Sequence, residues 1–377
     1  MHILTRTILT ITALSLLQGA AMSQEASTLS FAGHDWRVTA QAAEVTTHDG
    51  RDALALTGGR VWTDDLTFTD GVISFDVAYQ EETIFVGASW RTDAAGEFME
   101  DVYFRGHLNE KPDAMQYTPE VNGLSAWQIF SDDNAGGPVS QQFGAWNTVR
   151  IVVEGDMADI YFNSDTPVLH VPDLKTDRDA GGIALRSTGV NSGTAYYSNL
   201  VVRPLAAGEG VTGTPKADAK PPAGAIESWQ VSSTAIDEAL VAGATELPTE
   251  LIKDLGFAAV ATETNGIANL ARVTGPASGA DTLLVRLKLT SDTDQMKQLV
   301  FGYSDRVRLY LNGKLVYGGD ASWKARDYRF LGTVGFFDAV GLDLKAGENE
   351  LIAAVSETFG GWAWAGAMAD RDGVKLD

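Results

Sequence analysis

The sequence contains no cysteine in its 377 residues. Disulfide bonds therefore cannot stabilise the fold, and a thiolate cannot serve as a nucleophile or a metal ligand. Histidine is also scarce: beyond the N-terminal segment it occurs at positions 34, 48, 107 and 170, with no pair at the short spacing typical of zinc sites. We therefore expect no transition-metal site.

Positive charge is in short supply as well. Lys and Arg number 28 against 50 Asp and Glu, a formal net charge of −22. Such a chain repels polyanions, so we expect no nucleic acid partner. Long apolar runs are missing after the first twenty residues, and Ile8 to Leu17 is too short to cross a bilayer, so membrane insertion is not expected either.

The N-terminus has the pattern of an export signal. His2 and Arg6 precede the apolar run, and Ala21-Met22-Ser23 supplies the small residues of a cleavage site. This pattern predicts a signal peptide over residues 1–23 and a periplasmic or secreted mature protein. A short buried helix is the alternative interpretation.

The remaining chain predicts an all-β fold. Ile73, Phe75 and Val77 alternate with polar residues, as in a half-buried strand, and Asn312-Gly313 between two alternating runs is typical of a two-residue hairpin. Residues 204–224 have the Ala, Gly and Pro content of a linker. We predict two antiparallel β-sandwich or jelly-roll domains, at 26–203 and 225–377.

The stretch 85–130 carries the candidate ligand-binding residues. Alternation places Tyr103, Arg105 and His107 on one side of a strand and Phe104 on the other. Aromatic rings stack on sugars, and planar amide or guanidinium groups bind their hydroxyls. The predicted ligand-binding residues are Trp90, Arg91, Tyr103, Arg105, Gln116 and Trp127. Core packing of the tryptophans, and an ion pair of Arg105 with Glu100 or Asp101, are the structural alternatives.

Enzyme signatures are sparse. The sequence has no G-x-S-x-G, no H-E-x-x-H and no Gly-rich phosphate loop. Glycoside hydrolysis needs two facing carboxylates, for which Glu100, Asp101 and Glu120 are candidates, with His107 as acid or base. Fifty acidic residues also produce such clusters by chance. No cofactor is expected except a structural Ca²⁺, for which Asp132, Asp133 and Asn134, or Asp370 and Asp372, could supply oxygens.

Two family resemblances accompany these patterns. GVISFDV, FVGASWR, DAMQY, WNTVRIVVEGDMADIYFN and GGIALRSTGVNSGTAYYSNLVVRP occur in the order found in concanavalin A-like lectin/glucanase domains, and within that group the first half resembles the 3-keto-disaccharide hydrolase domain family. This resemblance implies a sugar ligand, and it matches Arg91 and Gln116 to positions of the family.

The second half, through RVRLYLNGKLVYGG and LDLKAGENELIAAVSETFGGW, resembles galactose-binding-like jelly rolls, which implies a binding or packing domain. Trp362 and Trp364 are expected in its core, with Trp323 as a ligand candidate. The leading hypothesis is an exported protein that recognises an oligo- or polysaccharide on the concave sheet of its first domain. A glycoside hydrolase or lyase, and an envelope protein-interaction module, are the alternatives.

Overall fold

The computed structural model describes residues 27–63, 65–189, 193–326 and 333–377. The predicted signal peptide and Tyr328, a further aromatic in the predicted hairpin loops of the second half, lie outside these residues. The predicted all-β fold is confirmed, because nearly all regular structure in the described chain is antiparallel strand.

The first half forms a 14-stranded sheet. Its strands are β1 (Thr28–Phe31), β2 (His34–His48), β3 (Arg51–Thr63), β4 (Gly71–Ala78), β5 (Phe85–Thr92), β6 (Met99–Arg105), β7 (Met115–Val121), β8 (Leu124–Ser125), β9 (Gly136–Gly137), β10 (Asn147–Glu154), β11 (Met157–Phe162), β12 (Leu169–Val171), β13 (Gly182–Thr188) and β14 (Thr194–Arg203). The strand order is β12-β11-β10-β4-β14-β3-β13-β5-β6-β7-β8, with β1 and β2 continuing from β3 and with β9 beside β7.

This sheet folds over on itself into a two-layer sandwich. Strand β14 pairs with β3 through its first residues and with β4 through its last, and the register shifts between Ser198 and Val201. The predicted alternation of Ile73, Phe75 and Val77 is confirmed, since all three point into the core. Across the core, the rings of Phe104 and Phe162 lie 4.4 Å apart. Burying these side chains is the main stabilising contribution to the fold.

The second half contains a 7-stranded and a 4-stranded sheet. Its strands are β15 (Ser228–Ser232), β16 (Phe257–Ala261), β17 (Ala268–Asn269), β18 (Thr282–Ser291), β19 (Gln295–Ser304), β20 (Arg306–Leu311), β21 (Lys314–Asp320), β22 (Asp338–Leu344), β23 (Gly347–Ser356), β24 (Ala363–Ala367) and β25 (Val374–Leu376). The first sheet has the order β16-β15-β18-β23-β20-β21 with β25 beside β18, and the second has the order β17-β24-β19-β22.

Several local predictions for this half are confirmed. Asn312 and Gly313 form the turn between β20 and β21, and both have the positive φ that such a turn requires. Trp362 and Trp364 are fully buried in the core between the sheets. This half also contains short helices, a 3-10 helix at Glu238–Leu240, the α-helix α1 at Thr249–Lys253 and a 3-10 helix at Leu270–Arg272. None of the described helices has the length and apolar character needed to span a membrane.

The segment 204–224 is held against the first sandwich by polar side chains. Asp159 accepts hydrogen bonds from the backbone N–H groups of Thr212 (2.6 Å) and Gly213 (2.9 Å), and its other oxygen lies 2.7 Å from His170 Nδ1. Asn134 bonds to both the backbone N–H and the carbonyl of Lys216. A segment with linker composition is therefore anchored along part of its length. The predicted domain boundaries themselves stay a prediction.

Candidate ligand-binding site

One surface of the first sandwich concentrates polar side chains, and we call it the polar face. It is the side of β3, β13, β5, β6 and β7 that points away from the core. Along each strand its residues alternate with core residues such as Val102, Phe104 and Leu185. The polar face consists of Arg60, Trp62, Ser89, Asp101, Tyr103, Arg105, Gln116, Thr118, Glu120 and Arg186.

Asp101 is the centre of its hydrogen-bond network. The side chain is fully buried, and its oxygens accept from Ser89 Oγ (2.8 Å) and from Arg186 Nη1. Arg186 lies two strands away on β13, and Gly87 on β5 stands opposite it in the register. A Cβ atom at Gly87 would overlap the backbone oxygen of Val102, so glycine is required at this position.

Arg60 connects this carboxylate to Glu120. Its Nη1 donates to Glu120 Oε2 at 3.2 Å, its Nη2 donates to Glu120 Oε1, and the same Nη2 lies 3.5 Å from Asp101 Oδ2. Burial lowers the pKa of Arg60, but the charges of Glu120 and Asp101 raise it by more. The net pKa lies above the ordinary value, so the guanidinium stays charged. The predicted carboxylates Asp101 and Glu120 are thus brought together, each bound to arginine.

Arg105, Tyr103 and Gln116 form a second network beside it. Arg105 Nη2 donates to Gln116 Oε1 and to the Tyr103 hydroxyl (3.1 Å), and its Nη1 donates to the backbone oxygen of Asp113 (2.6 Å). Burial raises the pKa of Tyr103, and the neighbouring Arg105 and Arg186 lower it by less. The hydroxyl therefore stays protonated at neutral pH and acts as a donor to Gln116.

Aromatic groups flank one end of the polar face. Phe85 packs edge-on against Tyr103, with ring centroids 5.6 Å apart, and against His107 at 5.7 Å. His107 follows β6 in a turn and is exposed. Partial burial and the Arg105 charge lower its pKa below the ordinary value, so its imidazole is neutral at neutral pH. This end therefore combines the exposed His107 ring and the half-buried Phe85 ring with hydrogen-bonding groups.

Trp127 lies next to this network through its backbone. Gln116 Nε2 donates to the carbonyl oxygens of Trp127 (2.7 Å) and Phe130 (2.5 Å). The half-buried Trp127 ring lies 5.8 Å from Phe359, which in turn lies 6.2 Å from Trp323, and both of these partners are exposed. Residues from both halves of the chain thus form an exposed aromatic patch.

Two predicted ligand-binding residues, Trp90 and Arg91, lie neither on the polar face nor beside it, and the prediction for them needs correction. Trp90 is fully buried in the core, where it packs against Tyr117. Arg91 is the extra residue of a β-bulge, with a φ of 51°, so the alternation breaks and its guanidinium points elsewhere. It donates to the backbone oxygens of Thr69, Arg178 and Gly155 and thereby ties loops together.

Glu100 is a further correction, because it points to the opposite side of β6 from Asp101. Its carboxylate is fully buried and accepts hydrogen bonds from the Tyr117 hydroxyl and from the backbone N–H and hydroxyl of Thr176. Adjacent residues of a strand face opposite sides of the sheet, so Glu100 and Asp101 could not both serve one site. Glu100 anchors the loop that contains Thr176.

Sequence reasoning missed Arg60 and Arg186. Each stands within a strand and next to a core residue, Val61 or Leu185. That position was a usable signal, since an arginine within such a strand needs a carboxylate partner on the same face. The partners lie on other strands, and only the strand order β3-β13-β5-β6-β7 brings them within reach.

Two of the predicted calcium ligands, Asn134 and Asp370, contact other groups in the structure. Among the residues that it describes, no group of three or more His, Asp or Glu side chains is arranged to hold a metal ion. The side chain of Asn134 is bonded to Lys216 and Asp218, and Asp370 pairs with Lys297 at 2.8 Å. The structural Ca²⁺ stays a prediction.

Two cavities are lined by residues of the second half together with residues of the first. One of about 640 Å³ is lined by Asp177, Arg272 and residues 258–263, and another of about 300 Å³ is lined by residues that include Tyr117, Lys175 and Asn265. Neither is lined by a residue of the polar face. Apart from the half-buried Arg60, the residues of the polar face are themselves buried.

No protein-family model matches the chain, and no curated protein matches it. Among solved structures it is similar to the carbohydrate-binding module CBM66 from Bacillus subtilis (14% identity, 42% of this chain and 90% of that chain, TM-score 0.33). It is similar also to a Bacillus licheniformis β-glucanase (13% identity, 41% and 79%, TM-score 0.31) and to a galectin-like protein of unknown function from Bacillus subtilis (14% identity, 42% and 85%, TM-score 0.33). At these TM-scores the likeness identifies neither a ligand nor a reaction.

Proposed function

We propose that this protein is exported and recognises an oligo- or polysaccharide on its polar face. The observation that supports the proposal is the side-chain chemistry of that face: guanidinium, carboxylate, amide and hydroxyl groups are held in two adjacent networks, with the exposed His107 ring and the half-buried Trp127 ring beside them. Planar polar groups in fixed positions bind vicinal hydroxyls, and aromatic faces bind the C–H surfaces of sugars. Tyr103, Arg105, His107, Gln116 and Trp127 are the proposed ligand contacts.

Affinity electrophoresis and thermal shift with a panel of polysaccharides and oligosaccharides test this function. A ligand that binds only the folded state raises the melting temperature. Arg105→Ala and Trp127→Ala are expected to weaken the shift while folding is retained. Trp146→Ala is the matched control, because this half-buried tryptophan is covered by Arg51 and His48, away from the polar face. Binding that is unchanged in Arg105→Ala and Trp127→Ala would exclude the proposed site.

A glycoside hydrolase or lyase is the second candidate, favoured by the two carboxylates that contact one atom, Arg60 Nη2. Asp101 and Glu120 are diagonal neighbours in the register of β6 and β7, which brings their side chains close together. Release of reducing ends or keto sugars, abolished by Glu120→Gln, would identify an enzyme. A thermal shift without any product release would identify a binding protein.

A further inference from the structure

We infer that the saccharide bound by the polar face carries an anionic group, a uronate carboxylate or a sulfate ester, and that Arg105 binds it. This inference rests on the proposed function and names its ligand class. The residues that carry it are the three arginines of the polar face and the groups that they contact.

The charges of the polar face do not balance. Arg60, Arg105 and Arg186 supply three positive charges, while Asp101 and Glu120 supply two negative charges, which leaves a net charge of +1. This excess occurs on a chain whose formal net charge is −22. His107 beside it is neutral at neutral pH, and the neighbouring Asp113 is exposed, so solvent screens the charge of its carboxylate. The polar face is therefore a local site for an anion on an acidic protein.

Arg105 is the arginine of the polar face that has no ion pair with any residue that the structure describes. Its guanidinium donates hydrogen bonds to the backbone oxygen of Asp113, the Tyr103 hydroxyl and the Gln116 amide oxygen, all of them neutral acceptors, and it lies 5.0 Å from the centre of the Tyr103 ring. Only 7% of the residue is exposed. A buried guanidinium without a carboxylate is costly, because its desolvation is not offset by an opposite charge. A bound anion would supply that charge.

Hydrogen-bond donors are also left over. A guanidinium has five N–H groups, and the contacts of Arg105 account for three of them. The buried Nε atoms of Arg60 and Arg186 have no acceptor within the part of the chain that the structure describes. A neutral sugar hydroxyl brings a donor with every acceptor, whereas carboxylates and sulfates bring acceptors only. The donor excess thus favours an anionic ligand.

The test is isothermal titration calorimetry on the full mature chain with three oligosaccharides of equal length: an oligogalacturonide, a sulfated galactan and a neutral galactan. We expect at least one anionic oligosaccharide to bind about tenfold or more tightly than the neutral one, with an affinity that falls as salt is raised. Binding of only the oligogalacturonide would assign a carboxylate, binding of only the sulfated galactan would assign a sulfate, and either result supports the inference.

Arg105→Gln is expected to weaken binding of the anionic oligosaccharide by about ten- to a hundredfold and to reduce the salt dependence of the affinity that remains. Arg150→Gln is the matched control, because Arg150 stacks on Tyr161 on the other layer of the sandwich. If Arg105→Gln does not fold, the salt dependence of the wild-type affinity still tests whether the saccharide is bound through its negative charge.

Equal or tighter binding of the neutral galactan would overturn the anionic ligand and leave the proposed function standing. An anionic affinity that is insensitive to salt would also overturn it. If none of the three oligosaccharides binds, and the wider panel of polysaccharides gives no thermal shift, the proposed function fails together with the inference.

Discussion

Arg186 and Asp101 form an ion pair that crosses an entire strand. The two residues lie on β13 and β6, and β5 runs between them with Gly87 opposite Arg186 in the register. The Arg186 guanidinium also lies 4.7 Å from the centre of the Tyr103 ring. A side chain at position 87 would overlap the backbone oxygen of Val102, so the arrangement of strands beneath this ion pair depends on a glycine there.

Removal of one partner of this pair should be strongly destabilising. Asp101→Ala leaves Arg186 buried without its counter-charge and weakens the contacts of Arg60. We expect the free energy of unfolding to fall by about 3–5 kcal/mol. The measurement is urea denaturation followed by tryptophan fluorescence.

The double variant Asp101→Asn with Arg186→Gln provides the comparison. It removes both charges and keeps hydrogen-bonding groups. Its loss of unfolding free energy should therefore be smaller than the sum of the losses in Asp101→Asn and Arg186→Gln alone. Additive losses would show that the two side chains do not interact energetically in the folded protein.

Glu357 should make stability depend on pH. The residue is 2% exposed, its Oε2 has no hydrogen-bond partner among the described groups, and burial together with the Asp305 charge raises its pKa to about 8. Because the pKa of Glu357 is higher in the folded state than its unfolded value near 4.5, the protonated carboxyl favours the folded state. This contribution to the free energy of unfolding is complete below pH 4.5. It is lost as the pH rises to about 8, by about 1.4 kcal/mol per pH unit.

Glu357→Gln removes this titration while keeping the side-chain shape. The measurement is the free energy of unfolding of wild type and variant at pH 5, 7 and 9. The variant should become more stable relative to wild type as the pH rises. A difference between the two proteins that is constant across these pH values would contradict the raised pKa.

Trp90 and Trp127 should respond in opposite ways to truncation. Trp90 is fully buried in the core, so Trp90→Ala should cost about 3–5 kcal/mol of unfolding free energy. Trp127 is half-buried with its ring against Phe359, so Trp127→Ala should cost much less and weaken saccharide binding instead. Chemical denaturation and calorimetric titration of both variants measure these effects. A large stability loss in Trp127→Ala would show that this ring is part of the core.

Asp159 should protect the segment 204–224 from proteolysis. Its carboxylate accepts backbone hydrogen bonds from Thr212 and Gly213, close to the trypsin site after Lys216. Hydrogen bonds to a charged group contribute about 1.5–3 kcal/mol each, so Asp159→Ala should raise the rate of cleavage there by about tenfold or more. Asp165→Ala, at an exposed turn, is the control. Equal cleavage rates in the two variants would show that Asp159 does not anchor the segment.

The amino-acid sequence by itself determined the all-β class and many local features. The alternation of Ile73, Phe75 and Val77, the Asn312-Gly313 turn and the burial of Trp362 and Trp364 follow from local patterns, because period-2 burial and positive-φ turns depend on neighbouring residues only. The same alternation placed Tyr103 and Arg105 on one face.

Only the tertiary structure decided which residues share the polar face. Trp90 and Glu100 alternate onto the core side, and a bulge turns Arg91 away, which shifts the site to other residues. Arg60 and Arg186 join Asp101 and Glu120 through pairings between strands that are distant in the chain. Strand order and bulges depend on long-range packing, and a local pattern does not encode them.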